Sequence, residues 1–185
     1  MFSSLLAGEH RKDVRMPSHL PDPSTPAPES IVRQLDIPFH LLDPSTPAGK
    51  SVARRLHDDL FIWLITVDET YVPHPLPVTF LWDDAQSTLL IYSMPQAERD
   101  RLEHIRHHPR VALHFDVSGG DIMIITGEAH VSSDDPSFDQ LPAWVEKYHD
   151  LYPRMGTTLQ HAAAVAPVAL RVRPLQLRYA PNPIR

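Results

Sequence analysis

A serine at the end of a predicted strand, followed by two arginines at the start of the next predicted helix, forms a candidate anion site. The residues are Ser93, Arg99 and Arg101. A hydroxyl group, guanidinium groups and the free amides of a helix N-terminus all favour phosphate or another oxyanion. From spacing alone, the alternative is that both arginines are solvated partners of nearby acidic residues such as Glu98 and Glu103.

Three histidines on the same predicted helix have the spacing of metal ligands. His104, His107 and His108 occupy positions i, i+3 and i+4, and Asp100 lies one helical turn before His104. The alternative is a solvated helix end, where cationic imidazoles interact favourably with the helix dipole. We prefer this alternative and predict no metal site. The chain has no cysteine, which excludes disulfides, thiolate nucleophiles and cysteine zinc sites.

Several function classes lack their sequence signatures. The chain contains no G-x-S-x-G, G-x-x-x-x-G-K, H-E-x-x-H or G-x-G-x-x-G motif, so hydrolase, nucleotide kinase and Rossmann interpretations have no support. The formal net charge is −6 and no block of lysine and arginine stands out, which argues against a nucleic-acid partner. No apolar run reaches membrane-spanning length, so we expect no membrane association and a cytoplasmic location.

Along the sequence, two predicted strands precede the candidate anion site and a third follows it. A predicted strand begins at Pro73, Pro75 and Pro77 and continues through an apolar run to Trp82. Because proline has no amide hydrogen, this strand can pair with a neighbour on one edge only. A second strand covers residues 88–92 and ends at Ser93. The helix that follows ends before a proline at position 109, which opens the next strand.

The remaining elements extend this β-rich pattern. We predict a helix from Thr46 to residue 58, a central strand over residues 60–67, and a strand over 122–131 that is interrupted at Gly127. A helix after Pro136 with inward Phe138, Leu141, Val145 and Tyr148 follows, and then a short helix over 157–165. The last strand, 168–179, alternates with Arg171 outward and has its register reset at Pro174.

This pattern predicts a mainly β fold with six antiparallel strands closed into a barrel and peripheral helices. Of the 20 prolines, many precede residue 48. We therefore divide the chain into a proline-rich N-terminal extension or linker at 1–45 and a barrel domain at 46–185.

Short motifs occur along the chain in an order that resembles one family. They are Trp63-Leu64-Ile65-Thr66-Val67, Pro73-His74, Pro77-Val78-Thr79-Phe80-Leu81-Trp82, Tyr92-Ser93-x-Pro95, His108-Pro109-Arg110-Val111 and Gly127-Glu128-Ala129. In this order they resemble the pyridoxamine 5'-phosphate oxidase-like family of FMN-binding split β-barrels, and within it the branch of oxidoreductases that use a flavin or the deazaflavin F420. The resemblance covers about residues 47–179.

The resemblance implies a six-stranded split β-barrel that forms a homodimer with cofactor sites at the subunit interface. It implies FMN or F420 as cofactor, with the strand at Pro77 and Val78 along the ring and Ser93 on the phosphate. Arg99 or Arg101 stands where the family has a phosphate-binding lysine. The remaining implied cofactor residues are Thr66, Thr79 and Tyr92.

The function implied is transfer of a hydride between bound F420 or FMN and a small organic substrate, with the cofactor carrying the chemistry. His74 is a candidate proton relay, because an unperturbed imidazole titrates near neutral pH. Two alternatives use the same barrel. One is a non-catalytic protein that binds a flavin, haem or another tetrapyrrole. The other is a structural dimer whose pocket no longer binds a ligand.

Overall fold

Antiparallel strands make up most of the chain, which the computed structural model describes at residues 35–95, 100–117 and 120–181. The strands are β1 (Leu35–Pro38), β2 (Phe61–Val67), β3 (Pro73–Thr79), β4 (Leu81–Asp83), β5 (Thr88–Ser93), β6 (Arg110–Phe115), β7 (Ile122–Ser132) and β8 (Val168–Ala180). The helices are α1 (Pro47–Asp58), α2 (Arg101–His107), α3 (Pro142–Tyr148), α4 (Leu151–Arg154) and α5 (Leu159–Val165). Short 3-10 turns cover Phe39–Leu41 and Phe138–Gln140.

The strands form one curled sheet with a split. Their order is β3-β2-β6-β7-β8-β5-β4, and β1 pairs with β8. The sheet therefore ends at β3 on one side and at β4 on the other, around an apolar core that includes Leu64, Ile91, Leu113, Phe115 and Leu170. The prediction of a mainly β split barrel with peripheral helices is confirmed. The strand count differs, because eight strands are present instead of the predicted six.

One additional strand arises where the predicted strand from Pro73 to Trp82 divides at Phe80. Here the chain passes from one edge of the sheet to the other. The buried hydroxyl of Tyr148 accepts a hydrogen bond from the Phe80 amide at 2.9 Å and lies 2.7 Å from the Phe80 carbonyl oxygen. The Tyr148 hydroxyl thus takes the place of a neighbouring strand as the hydrogen-bond partner of the Phe80 backbone, because buried backbone groups need a partner. An uninterrupted apolar run gives no sequence signal for such a break.

The other additional strand, β1, pairs antiparallel with the C-terminal half of β8, from Leu35↔Tyr179 to Pro38↔Gln176. The sheet thus includes residues that precede the predicted domain start at 46. Residues 1–34 of the predicted extension, together with Arg99, lie outside the described residues. The predicted cap of α1 is confirmed, because the Thr46 hydroxyl accepts a hydrogen bond from the Gly49 amide at 3.0 Å.

Glycine and proline act as predicted in the sheet. The proline-rich β3 pairs only with β2, as an edge strand should. Gly127 and Pro174 meet at a single bulge, where the register moves from Thr126↔Gln176 to Gly127↔Pro174. A Cβ atom at Gly127 would lie 2.6 Å from the Arg173 carbonyl oxygen, so the close approach of the two backbones requires glycine.

Two local predictions are wrong. The helix expected after Pro136 is interrupted, because α3 begins only at Pro142; its phase buries Trp144 and leaves Val145 exposed. Arg171, expected to point outward by strand alternation, is buried. Its guanidinium group is enclosed by two carboxylates from distant parts of the chain, Asp83 and Asp135, which compensate its charge.

Candidate functional site

A cavity of about 440 Å³ opens beside the split of the sheet. This volume is within the range of small-molecule and cofactor sites. Six of the predicted cofactor residues line it: Pro77, Val78, Thr79, Tyr92, Ser93 and Arg101. They come from β3, β5 and α2, which the fold brings together although up to 24 residues separate them in the sequence. The structure thus gathers these predicted residues around a single space.

The opposite wall of this large cavity is helical and was not predicted from the sequence. It contains Phe138, Tyr152, Met155, Thr157, His161, Ala162, Val165 and Ala166, from the segment that contains α4 and α5. This wall is mostly apolar, so the large cavity suits a flat, largely apolar ring. The sequence signal for it was weak, because these residues lie at least 59 positions beyond the Pro77–Thr79 strand they face.

The two hydroxyl groups on β5 differ in their remaining capacity for hydrogen bonds. The Tyr92 hydroxyl donates to the Pro136 carbonyl oxygen, and burial raises its pKa to about 12, so it stays protonated. Tyr92 therefore forms a fixed part of the wall of the large cavity. Among the described residues, the Ser93 hydroxyl has one hydrogen-bond contact, a long one of 3.4 Å to the neighbouring Met94 carbonyl oxygen. This contact is near the limit for a hydrogen bond, so Ser93 retains its capacity to bind a ligand.

A second cavity, of about 200 Å³, adjoins the first. Its lining residues are Leu64, Thr66, Pro73, His74, Pro75, Leu76, Arg101 and His104. The predicted residues Thr66 and His74 face this small cavity instead of the large one. Leu76 and Arg101 line both cavities, so they form the boundary between them.

Arg101, at the first position of α2, is a half-buried cation that makes no hydrogen bond or ion pair with any residue of the described ranges. Burial lowers the pKa of its guanidinium group, and the charge of the adjacent Asp100 partly opposes this effect. An arginine that is shielded from water and has no partner is costly unless an anion joins it.

The small cavity contains two histidines whose rings lie 4.7 Å apart, His74 from β3 and His104 from α2. The His74 Nε2 atom lies 2.8 Å from Asp68 Oδ2, and the His104 Nδ1 atom lies 3.0 Å from the Thr66 hydroxyl. The hydrogen bond from His74, joined by others from Thr70 and the Val72 amide, holds the pKa of Asp68 well below its usual range.

The sequence missed the involvement of Asp68 and His104 in this cluster. The sequence predicts His104 as part of a solvated helix end, or else as a metal ligand with its helical neighbours, but the three histidines diverge. His107 approaches Glu103, and the His108 ring lies 4.8 Å from the Tyr71 ring at a tilted angle. Within the described part of the chain, no group of three or more histidine, aspartate or glutamate side chains could hold a metal ion. The same residues include no helix that is long and apolar enough to cross a membrane.

Three solved structures are similar to this chain. A conserved hypothetical protein from Mycobacterium tuberculosis is 14% identical, with a TM-score of 0.54 over 74% of this chain and 86% of its own. An F420 reductase is 20% identical, with a TM-score of 0.49 over 64% and 89% of the two chains. A haem storage protein from Vibrio cholerae is 13% identical, with a TM-score of 0.48 over 70% and 91%. The first of these supports the fold.

Comparison of sequences gives the family directly. No protein with a curated description matches the chain. The family model of pyridoxamine 5'-phosphate oxidase, in contrast, matches residues 49–180, from the first turn of α1 to the end of β8. This match includes every predicted site residue, and it covers most of the chain. The protein therefore belongs to the pyridoxamine 5'-phosphate oxidase family.

Proposed function

We propose that this protein is an oxidoreductase that binds F420 or FMN in the large cavity and transfers a hydride between the cofactor and a small organic substrate. The observation that carries the proposal is the convergence of residues from β3, β5 and α2 on one cavity, with an arginine at its edge that pairs with no residue of the described ranges. Membership of the family supports the same cofactor class.

The side chains around the large cavity fit a cofactor that has an apolar ring and an anionic tail. Pro77, Val78 and Thr79 provide a flat wall along the edge strand, opposite the apolar helical wall. Ser93 offers a hydroxyl with spare hydrogen-bonding capacity, and Arg101 offers a cation that forms no ion pair within the described part of the chain. These two residues would hold the phosphate. Arg99, the predicted alternative to Arg101 at the phosphate-binding position, lies outside the described residues.

When bound, F420 or FMN supplies the hydride chemistry. The protein's own residues orient the substrate, exclude water and handle protons. His74 is suited to hold a proton in the small cavity, because its Nε2 atom is hydrogen-bonded to Asp68 and its ring faces the space beside the boundary residues Leu76 and Arg101. This arrangement would let His74 deliver a proton to a substrate atom next to the one that accepts the hydride.

The proposal includes a homodimer, with each cofactor site completed by the partner. The outer face of β2 supports it, because Phe61 and Trp63 are 42% and 45% exposed in the single chain. Phe61 also lines the large cavity, so an apolar surface continues from the cavity to the outside of the sheet. A second copy of the chain would cover this surface and exclude water from the cavity.

The test is titration of the purified protein with FMN and, separately, with F420, followed by cofactor fluorescence. We expect micromolar or tighter binding of one of them. Arg101→Gln should weaken that binding roughly tenfold or more, since it removes a charge-assisted hydrogen bond to phosphate. Arg106→Gln is the matched control on the same helix, because Arg106 is exposed and pairs with Glu103; it should leave the affinity unchanged.

The outcomes separate the alternatives. Binding of neither cofactor would refute the proposal, and a haem titration followed by absorbance would then test the haem-binding alternative. Tight binding of one cofactor, but with a reduced form that passes no hydride to any compound in a screen of small organic acceptors, would favour a non-catalytic binding protein. Equal affinities in the wild type and in Arg101→Gln would exclude Arg101 as the phosphate ligand.

A further inference from the structure

The polar side chains that line the small cavity are all hydrogen-bond donors or become donors on protonation. They are Arg101, His74, His104 and Thr66. Among the described residues, none that lines the small cavity carries a carboxylate. Asp68 is hydrogen-bonded to the Nε2 atom of His74 and is not itself a lining residue. The described lining residues therefore offer hydrogen-bond donors to a ligand once the imidazoles are protonated.

The two histidines are oriented by different partners. Asp68 engages His74 through Nε2, and Thr66 engages His104 through Nδ1. Each ring thus keeps its other nitrogen, His74 Nδ1 and His104 Nε2, without a hydrogen bond to any residue of the described ranges. With the rings 4.7 Å apart, one small ligand can reach both.

A bound anion would offset the positive charges of this cluster. Burial, and then the nearby charge of His74, lower the pKa of His104, whereas Asp68 and Asp100 act in the opposite direction. Arg101 adds a third positive group, which makes no hydrogen bond or ion pair through its guanidinium group with the residues that the structure describes. A negative ligand among these groups would favour the protonated imidazoles, and protonated imidazoles would in turn favour the ligand.

The size of the small cavity limits what it can hold. A volume of about 200 Å³ accommodates a carboxylate, sulfate or phosphate group with a few waters, but not a three-ring cofactor. Ser93, the other proposed phosphate ligand, lines only the large cavity. Ser93 and Arg101 can hold the cofactor phosphate from the large cavity, which leaves the small cavity for a different anion.

We infer that the small cavity is an oxyanion subsite, lined by His74 and His104, that binds a carboxylate or phosphate group of the substrate. The identification of this anion with the substrate rests on the proposed function; the anion site itself does not. The substrate class is then a small organic anion, whose charged group lies in the small cavity and whose reactive part lies at the boundary that Leu76 and Arg101 form between the two cavities.

Sulfate and acetate are suitable probes, because both stay fully ionised between about pH 6 and about pH 8.5, where histidine titrates. Imidazole signals of the wild-type protein would be followed by NMR during titration with each anion. We expect saturable shifts at His74 and His104, binding that weakens as the pH rises, and an affinity for the anion roughly tenfold or more lower in His104→Asn. His107→Asn is the matched control, since His107 is exposed on the same helix and should leave the affinity unchanged.

Repeating the titration with protein saturated by FMN or F420 identifies the source of the anion. Continued sulfate binding supports a substrate subsite, whereas loss of sulfate binding would assign the small cavity to the cofactor and overturn the inference. Absence of saturable shifts at His74 and His104, or equal affinity in the wild type and His104→Asn, would also overturn it. If neither cofactor binds while sulfate still does, the proposed function fails and the anion site stands.

Discussion

Two arginines show how the same side chain is used in opposite ways in this barrel. Arg171, on β8, is only 8% exposed and its guanidinium group is fully engaged. It donates to Asp135, to Asp83 at 2.7 Å and to the Thr88 hydroxyl at 2.8 Å. Hydrogen bonding to Asp135, followed by that to Asp83, outweighs burial and raises the pKa of Arg171. It binds the turn between β4 and β5 to the segment after β7.

Arg101 has the opposite environment. It is half-buried at the boundary of the two cavities and has no partner among the described residues. Burial lowers its pKa, and the charge of the adjacent Asp100 opposes this effect only in part. The difference indicates that the compensated arginine holds the fold together, whereas the uncompensated one is kept for a ligand. Each prediction below tests one side of this contrast.

The largest effect is expected at Arg171. Arg171→Gln leaves Asp83 and Asp135 without their cation in a partly buried site, so the free energy of unfolding should fall by about 3–5 kcal/mol. Urea denaturation measures this change. Arg173→Gln, two residues along the same strand, is the control: Arg173 is exposed and pairs with Glu128 at the surface, so its loss should cost less than about 1 kcal/mol. Similar losses in both variants would contradict the structural role.

The acid stability of the protein should depend on the same cluster. The hydrogen bonds from Arg171 lower the pKa of Asp135, and they also lower that of Asp83 against the opposing effect of burial. A carboxyl group with a depressed folded pKa stabilises the protein above its unfolded pKa, and that stability is lost as the pH falls through the folded pKa. Below about pH 4, the stability of the wild type should therefore approach that of Arg171→Gln.

A third cation, Lys147 on α3, lies between these extremes and should give an intermediate effect. Its Nζ atom is buried without a hydrogen-bond partner among the described residues, 4.0 Å from the centre of the Phe80 ring. Lys147→Met removes a poorly hydrated charge, so we expect a gain of about 1 kcal/mol near pH 7, after the lost cation–π contact is subtracted. The exposed Lys50→Met serves as control and should change stability little.

The pH dependence of that gain has a definite sign. Burial lowers the pKa of Lys147 to about 8. A lysine with a depressed folded pKa destabilises the protein fully below that value, and the destabilisation disappears as the pH rises toward the unfolded pKa of about 10.4. The advantage of Lys147→Met should therefore shrink between about pH 8 and about pH 10. A constant advantage would show that the lysine charge is not its cause.

Local patterns predicted much of the fold. Proline spacing identified the edge strand β3, Thr46 marked the start of α1, and Gly127 with Pro174 located the bulge, because each of these signals acts on the backbone of its own residue. Arg171 could not be placed in this way. Its partners lie 36 and 88 positions away in the sequence, and strand alternation alone sends a charged side chain outward. The break at Phe80 likewise depends on the distant Tyr148.

The candidate site shows the same limit. Ser93 and Arg101 were found because a strand end and a helix start are local features. Thr66 and His74 came from the family resemblance, and the structure places both in the small cavity. The contact between Thr66 and His104, however, joins residues 38 positions apart and required the pairing of β2 with its neighbours. Side chains from separate elements become a cluster only when the sheet sets their distance.

The smallest stability change is expected at Arg101, and it is the most informative for the contrast between the two arginines. Arg101→Gln removes a desolvated charge that contributes no hydrogen bond to any described residue, so the free energy of unfolding should change by less than about 0.5 kcal/mol or rise slightly. Urea denaturation without ligand, next to Arg171→Gln, measures it. In the presence of the cofactor that binds, the wild type should gain stability and Arg101→Gln should gain less, because ligand binding to the folded state alone stabilises it by mass action. A large loss without ligand would show that Arg101, like Arg171, is a structural cation, and the anion sites on either side of it would then lose their main support.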